Sequence, residues 1–131
     1  MNLLAYRDQS GRTLFDTRDS KIVDKDTPAP VRFLPDYDNT LFAHRNRDRV
    51  IDPSIRPRVI RGTPRMPGTV LIGGFVEGTW SAINKGGGTP KLRIQLFKHN
   101  NPTLELREEA ERLAHYIFRS EKIEISYATE V

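Results

Sequence analysis

The chain has 131 residues, 37% of them hydrophobic and 29% charged, with a net charge of +4 and a sequence pI near 9.6. That length suits one domain able to bury roughly two-thirds of its unfolded surface, and the composition is that of a globular protein and not of a disordered chain. With no cysteine, the sequence excludes disulfides, thiolate catalysis and cysteine-ligated zinc or iron–sulfur sites; no apolar run approaches the length of a membrane span, the N-terminus has no signal-peptide pattern, and a cytoplasmic location is expected.

Leu3, Leu4 and Tyr6 make an apolar start, Ser10-Gly11 is a turn signal, and Thr13-Leu14-Phe15 follows, so residues 1–16 read as an N-terminal β-hairpin. Residues 17–32, rich in Asp, Lys and Pro, read as a connector with polyproline-like character at Pro28-Ala29-Pro30. Phe33-Leu34 is expected to plug a core, and Asp36-Tyr37-Asp38-Asn39 is turn chemistry. The latter resembles a calcium loop only superficially. It lacks the sharp-turn glycine and the distant glutamate, so a turn or cap is the better reading.

Arg56-Pro57-Arg58-Val59-Ile60-Arg61 suggests a strand entered through a proline. The clearest β pattern comes next. Thr69–Ile72 reads as a strand, Gly73-Gly74 as a tight turn, and Phe75–Ile83 as the return strand, with Val76, Gly78, Trp80 and Ala82 on one face. A second turn at Asn84–Thr89 leads to a third strand over Lys91–Phe97. Trp80 reads as a core anchor and not as a base-stacking residue. Neither glycine cluster, at 73–78 or 86–88, has the strand-to-helix setting of a phosphate loop.

Asn101-Pro102 reads as a helix start, and Leu106, Ala110, Leu113, Ala114, Ile117 and Phe118 share one helical side. Ile123, Ile125 and Tyr127 alternate with polar residues as a final short strand. The expected fold is therefore α+β: a small antiparallel β-barrel-like sheet with one C-terminal amphipathic helix, residues 33–131 forming the sheet-and-helix part of a single module.

Charge is concentrated in one segment. Between Ala43 and Arg65, seven arginines (Arg45, Arg47, Arg49, Arg56, Arg58, Arg61 and Arg65) face two acids, Asp48 and Asp52. Arginine forks suit phosphate oxygens; the alternative is a solvated face whose charges pair with Asp36, Asp38, Asp48 and Asp52. Aromatic interleaving is poor, which argues against a platform that stacks a single strand. His44 beside this segment could contact phosphate or hydrogen-bond structurally. His99 and His115 are distant in sequence, so no metal spacing is visible, and no cofactor motif or nucleophile–base pair is evident.

The stretch FLPDYDNTLFAHRNRDRVID, residues 33–52, resembles the Leu-Pro-x-(Phe/Tyr)-Asp-Asn-x-Leu-Leu-x-His-x-x-Arg pattern near the C-terminus of a bacterial family of winged-helix DNA-binding proteins that includes the AlkZ/YcaQ-like DNA glycosylases. TPAPVRFLP upstream, with FVEGTW and REEAERLAHYI downstream, stands in similar order. The resemblance runs from about Thr27 to Ile117. It implies a DNA repair protein of tandem winged-helix units with a C-terminal barrel-like module, in which a Gln-hydrophobic-Gln (or Gln-hydrophobic-Asp) motif of the N-terminal part catalyses base removal. The only glutamines here are Gln9 and Gln95, neither in that motif. The chain is therefore expected to be the C-terminal module of a larger protein, without the catalytic part. As an accessory module it would bind double-stranded DNA through His44, Arg45, Arg47, Arg49, Arg58 and Arg61, with Lys85 and Lys91 on a hairpin reaching a groove. The alternative is a structural module that docks onto N-terminal winged-helix domains.

Overall fold

In the computed structural model, which describes residues 3–60, 62, 66–84, 86–98 and 101–129, the glycine pair Gly73–Gly74 takes positive φ at both residues. That is the backbone a two-residue hairpin turn demands and glycine supplies without steric cost. The turn joins β4 (Gly68–Ile72) to β5 (Phe75–Ile83), which pairs in turn with β6 (Lys91–Leu96). To number the remaining elements in chain order, β1 is Leu3–Arg7, β2 Thr13–Thr17, β3 Arg32–Leu34, α1 Asn39–Phe42, α2 Arg56–Val59, α3 Leu104–Phe118 and β7 Glu124–Thr129.

β1 and β2 form a separate two-stranded antiparallel sheet, while the other strands form one sheet in the order β3-β4-β5-β6-β7. The mixed α+β class is as the sequence predicts, but the sheet differs from expectation in two respects. It is open, with β3 and β7 as its edges, and does not close into a barrel. It is also not wholly antiparallel, because β7 runs parallel to β6. The reason is connective: α3 carries the chain back along the sheet, as a parallel pair requires.

α3 forms because its apolar residues recur at helical spacing. Thr103, and not Asn101, is its cap, with Oγ1 accepting from Leu106 N at 3.2 Å. Arg119 closes it in the left-handed region, its N–H donating to His115 O. Leu106, Ala110 and Ala114 are buried against Val70, Leu92, Ile94 and Leu96 of the sheet. Each large side chain so buried contributes about 1.5–3 kcal/mol.

The opposite face carries a second core of Leu41, Ile51, Ile55, Val59, Met66, Val76 and Phe97. Residues 35–60 and Met66 supply most of it, with no strand among the described residues there. Short polar side chains hold their turns: Asp38 Oδ1 accepts from Thr40 N (2.8 Å), Asn46 Oδ1 from Asp48 N (2.9 Å) and Asp52 Oδ1 from Ser54 N (2.8 Å). Val76 N, donating to Val50 O at 2.8 Å, ties the segment to the sheet.

Two local expectations change here. Residues 56–59 are helical and not extended, with Pro57 in the first turn, where its fixed φ and missing N–H are tolerated. The strand alternation also breaks within β5. Val70 pairs with Gly78 and Leu71 with Val76, so Glu77 is an extra residue. Across this β-bulge Val76 faces away from Gly78 and Trp80, into the second core.

Candidate nucleic-acid interface

The site begins with the turn of the β1–β2 hairpin. Asp8 Oδ1 accepts from Ser10 N (2.9 Å), Ser10 Oγ (2.6 Å) and Arg12 N (2.9 Å), and Oδ2 accepts from Arg12 Nε (2.9 Å). These bonds favour the carboxylate and lower the Asp8 pKa from 3.8 to about 2, the Ser10 hydroxyl being the largest cause and the Arg12 N–H the next. They also fix Arg12 at the hairpin tip.

Facing that tip is the loop after α1. Arg12, Thr13 and Leu14 on one side, with Thr40, His44, Arg45, Asn46, Arg49 and Val50 on the other, line a cavity of about 400 Å³. A second cavity of about 520 Å³ adjoins it, lined by Arg12, Arg45, Asn46, Asp48 and Arg56. Arginines from the hairpin, the loop and α2 thus share one continuous surface.

The acids that could neutralise this surface are mostly engaged locally. Asp38 caps α1, and Asp52 bonds Ser54, whose hydroxyl chiefly lowers its pKa. Asp8 is paired with Arg12. Among the described residues, no hydrogen bond or ion pair engages His44, Arg45 or Arg49. Exposed, unpaired guanidinium forks are the groups that exchange water for phosphate at least cost.

The other expected site residues that are described lie outside the lining of these cavities. Arg47 is half-buried and turns inward, its Nη2 donating to Phe42 O at 3.3 Å while its Nε is buried with no hydrogen-bond partner. The Arg58 guanidinium lies over the Phe97 ring, 5.9 Å from the centroid. Lys91 starts β6 and pairs with Glu124 at 2.7 Å; at about 3.3 Å per residue it stands roughly 20 Å along the strand from Phe97. Arg61, Arg65, Lys85 and His99 fall outside the described residues.

Arg12 and Arg56 are the residues that sequence reasoning did not single out. Arg56 belongs to the basic segment and was visible in that count. Nothing local marks Arg12, because only the fold brings it to the cleft.

His115 is exposed on α3, its Nδ1 2.9 Å from Glu111 O. It borders a cleft with Arg107, Glu111, Glu121 and Tyr127, where Arg107 lies over the Tyr127 ring at 4.9 Å and burial raises the Tyr127 pKa. Charges of both signs there suit no polyanion. Trp80 is an anchor as expected: its Nε1 donates to Leu34 O at 2.8 Å, and its ring meets Phe33 edge-on. Among the described residues there is no cluster of three metal-ligating side chains and no helix long and apolar enough to cross a membrane.

The sequence profile of the AlkZ-like DNA glycosylases matches residues 1–116. The fold is similar to that of the Streptomyces sahachiroi DNA glycosylase AlkZ, with a TM-score of 0.67 over 96% of this chain at 16% identity. The chain spans 33% of that protein's length. No curated protein matches the sequence. Since the family match takes in every element but β7 and the last two residues of α3, the chain belongs to the AlkZ-like DNA glycosylase family.

Proposed function

We propose that this chain is a DNA-contacting accessory module of a DNA repair protein, gripping double-stranded DNA through its phosphates and leaving base removal to a catalytic part outside it. The observation that carries this reading is the convergence of Arg12, Arg45 and Arg49 on one cleft with no acid paired to Arg45 or Arg49 among the described residues. Family membership supplies the context, and the Gln-hydrophobic-Gln motif is missing from the sequence. Winged-helix domains of the same protein are the expected neighbours, in the cytoplasm.

Binding through phosphates is salt-dependent and tolerant of sequence. A duplex titration at two salt concentrations tests the proposal. Arg45→Ala and Arg49→Ala each weaken duplex binding roughly tenfold and each reduce the salt slope by about one. Wild-type protein with no duplex affinity at low salt would refute the proposal.

A second reading, docking onto another domain, is favoured by a different feature. Leu3 and Phe15 alternate onto one face of the β1–β2 hairpin and are exposed, Phe15 by 67%. A two-stranded hairpin with a bare apolar face gains stability by being covered. Under this reading Phe15→Ser lowers assembly of the longer protein while salt-dependent DNA affinity stays as it was.

A further inference from the structure

We infer that the cleft between the hairpin and the loop seats one unpaired nucleotide of a DNA duplex. The inference rests on the DNA-contacting reading and adds a preference for a DNA form. The first observation is shape. At about 400 Å³ the cavity falls at the small end of the range for small-molecule sites, roughly 300–1,000 Å³. Such a hollow fits a phosphate with its sugar and one ring, whereas paired DNA offers a concave wall only its backbone.

The second observation is that the lining is divided by chemistry. Arg12, Arg45 and Arg49 are cationic, while Leu14 and Val50 are aliphatic and Leu14 is 38% exposed. A backbone phosphate satisfies the arginines and leaves Leu14 facing water. A nucleotide swung out of the stack satisfies both, its ring covering Leu14 and Val50 and excluding water.

The third is the amide and the imidazole in the lining. Asn46 Oδ1 already accepts from Asp48 N, so its amide N–H groups are what it offers a ligand, and base edges carry the matching acceptors. The His44 imidazole, on the same wall, supplies a flat ring. One ring in one hollow differs from a platform that tracks a strand, which agrees with the scarcity of aromatic residues in the basic segment.

The test uses the full chain and two short duplexes of one sequence, one perfectly paired and one carrying a single unpaired thymidine. Fluorescence anisotropy is expected to show about tenfold tighter binding to the second, since exposing and packing one base is worth that order of preference. Leu14→Ser should abolish the preference. Phe15→Ser, on the opposite face of the same strand, should keep it, which separates loss of contact from loss of the hairpin. Equal affinity for the two duplexes overturns the inference and leaves the DNA-contacting reading standing. A preference that survives Leu14→Ser, or that Phe15→Ser removes equally, overturns it too. Wild-type protein that binds neither duplex removes both readings together.

Discussion

A single carboxylate sets the geometry of the hairpin tip. Asp8 accepts four hydrogen bonds within five residues and holds Arg12 at the cleft. Its folded pKa of about 2 lies below the ordinary 3.8. The stability it lends is therefore complete above 3.8 and is lost as pH falls through about 2. Amide chemical shifts of Ser10 and Arg12 should hold steady from neutral pH to 3.8 and then move together. Asp8→Asn should shift them at neutral pH and leave no such transition. Asp8 carried a turn signal in sequence through its neighbours Ser10 and Gly11, but its grip on Arg12 did not. That grip depends on a side-chain rotamer, and the value of Arg12 depends on a loop more than thirty residues away.

At the scale of elements, α3 was legible because periodicity and capping agree. Six apolar residues fall on one side, and the cap lies within two positions of the expected one. Thr103→Ala removes the oxygen that accepts from Leu106 N and should cost about 1 kcal/mol, read as a lower midpoint in urea. Thr103→Ser should recover most of it. The meander β4-β5-β6 was legible for a similar reason, since its turns contain glycines that take positive φ. α2 was not: Arg56–Val59 is too short for helical periodicity to register, and Pro57 fits a strand entrance as well as a first helical turn. The direction of β7 was missed although its existence was not. Its alternation specifies a strand, and only the length of the connection through α3 specifies parallel pairing.

At the scale of the whole molecule, stability is unequally distributed. The five-stranded sheet is packed on both faces, while the hairpin is a sheet of two strands with an exposed apolar face. Hydrogen exchange should show amides of Ile94 and Leu96 opening only on global unfolding, and those of β1 and β2 opening orders of magnitude sooner. Duplex DNA should slow the hairpin amides, because Arg12 and the loop arginines would share one ligand. The candidate site was half legible on these grounds. Its loop wall is a run of charge that any composition count finds, and its hairpin wall comes from tertiary placement.

The bulge at Glu77 also makes β5 a strand written in two phases. Before it, even-numbered Val76 belongs to the core behind the sheet; after it, even-numbered Gly78 and Trp80 belong to the helix side. A deletion of that one residue would make Val76 and Gly78 neighbours, and ordinary alternation would then send each to the face it already occupies. The extra residue therefore does not choose which core a side chain enters; it kinks and twists the strand locally, and its C=O accepts from Phe97 N at 2.8 Å.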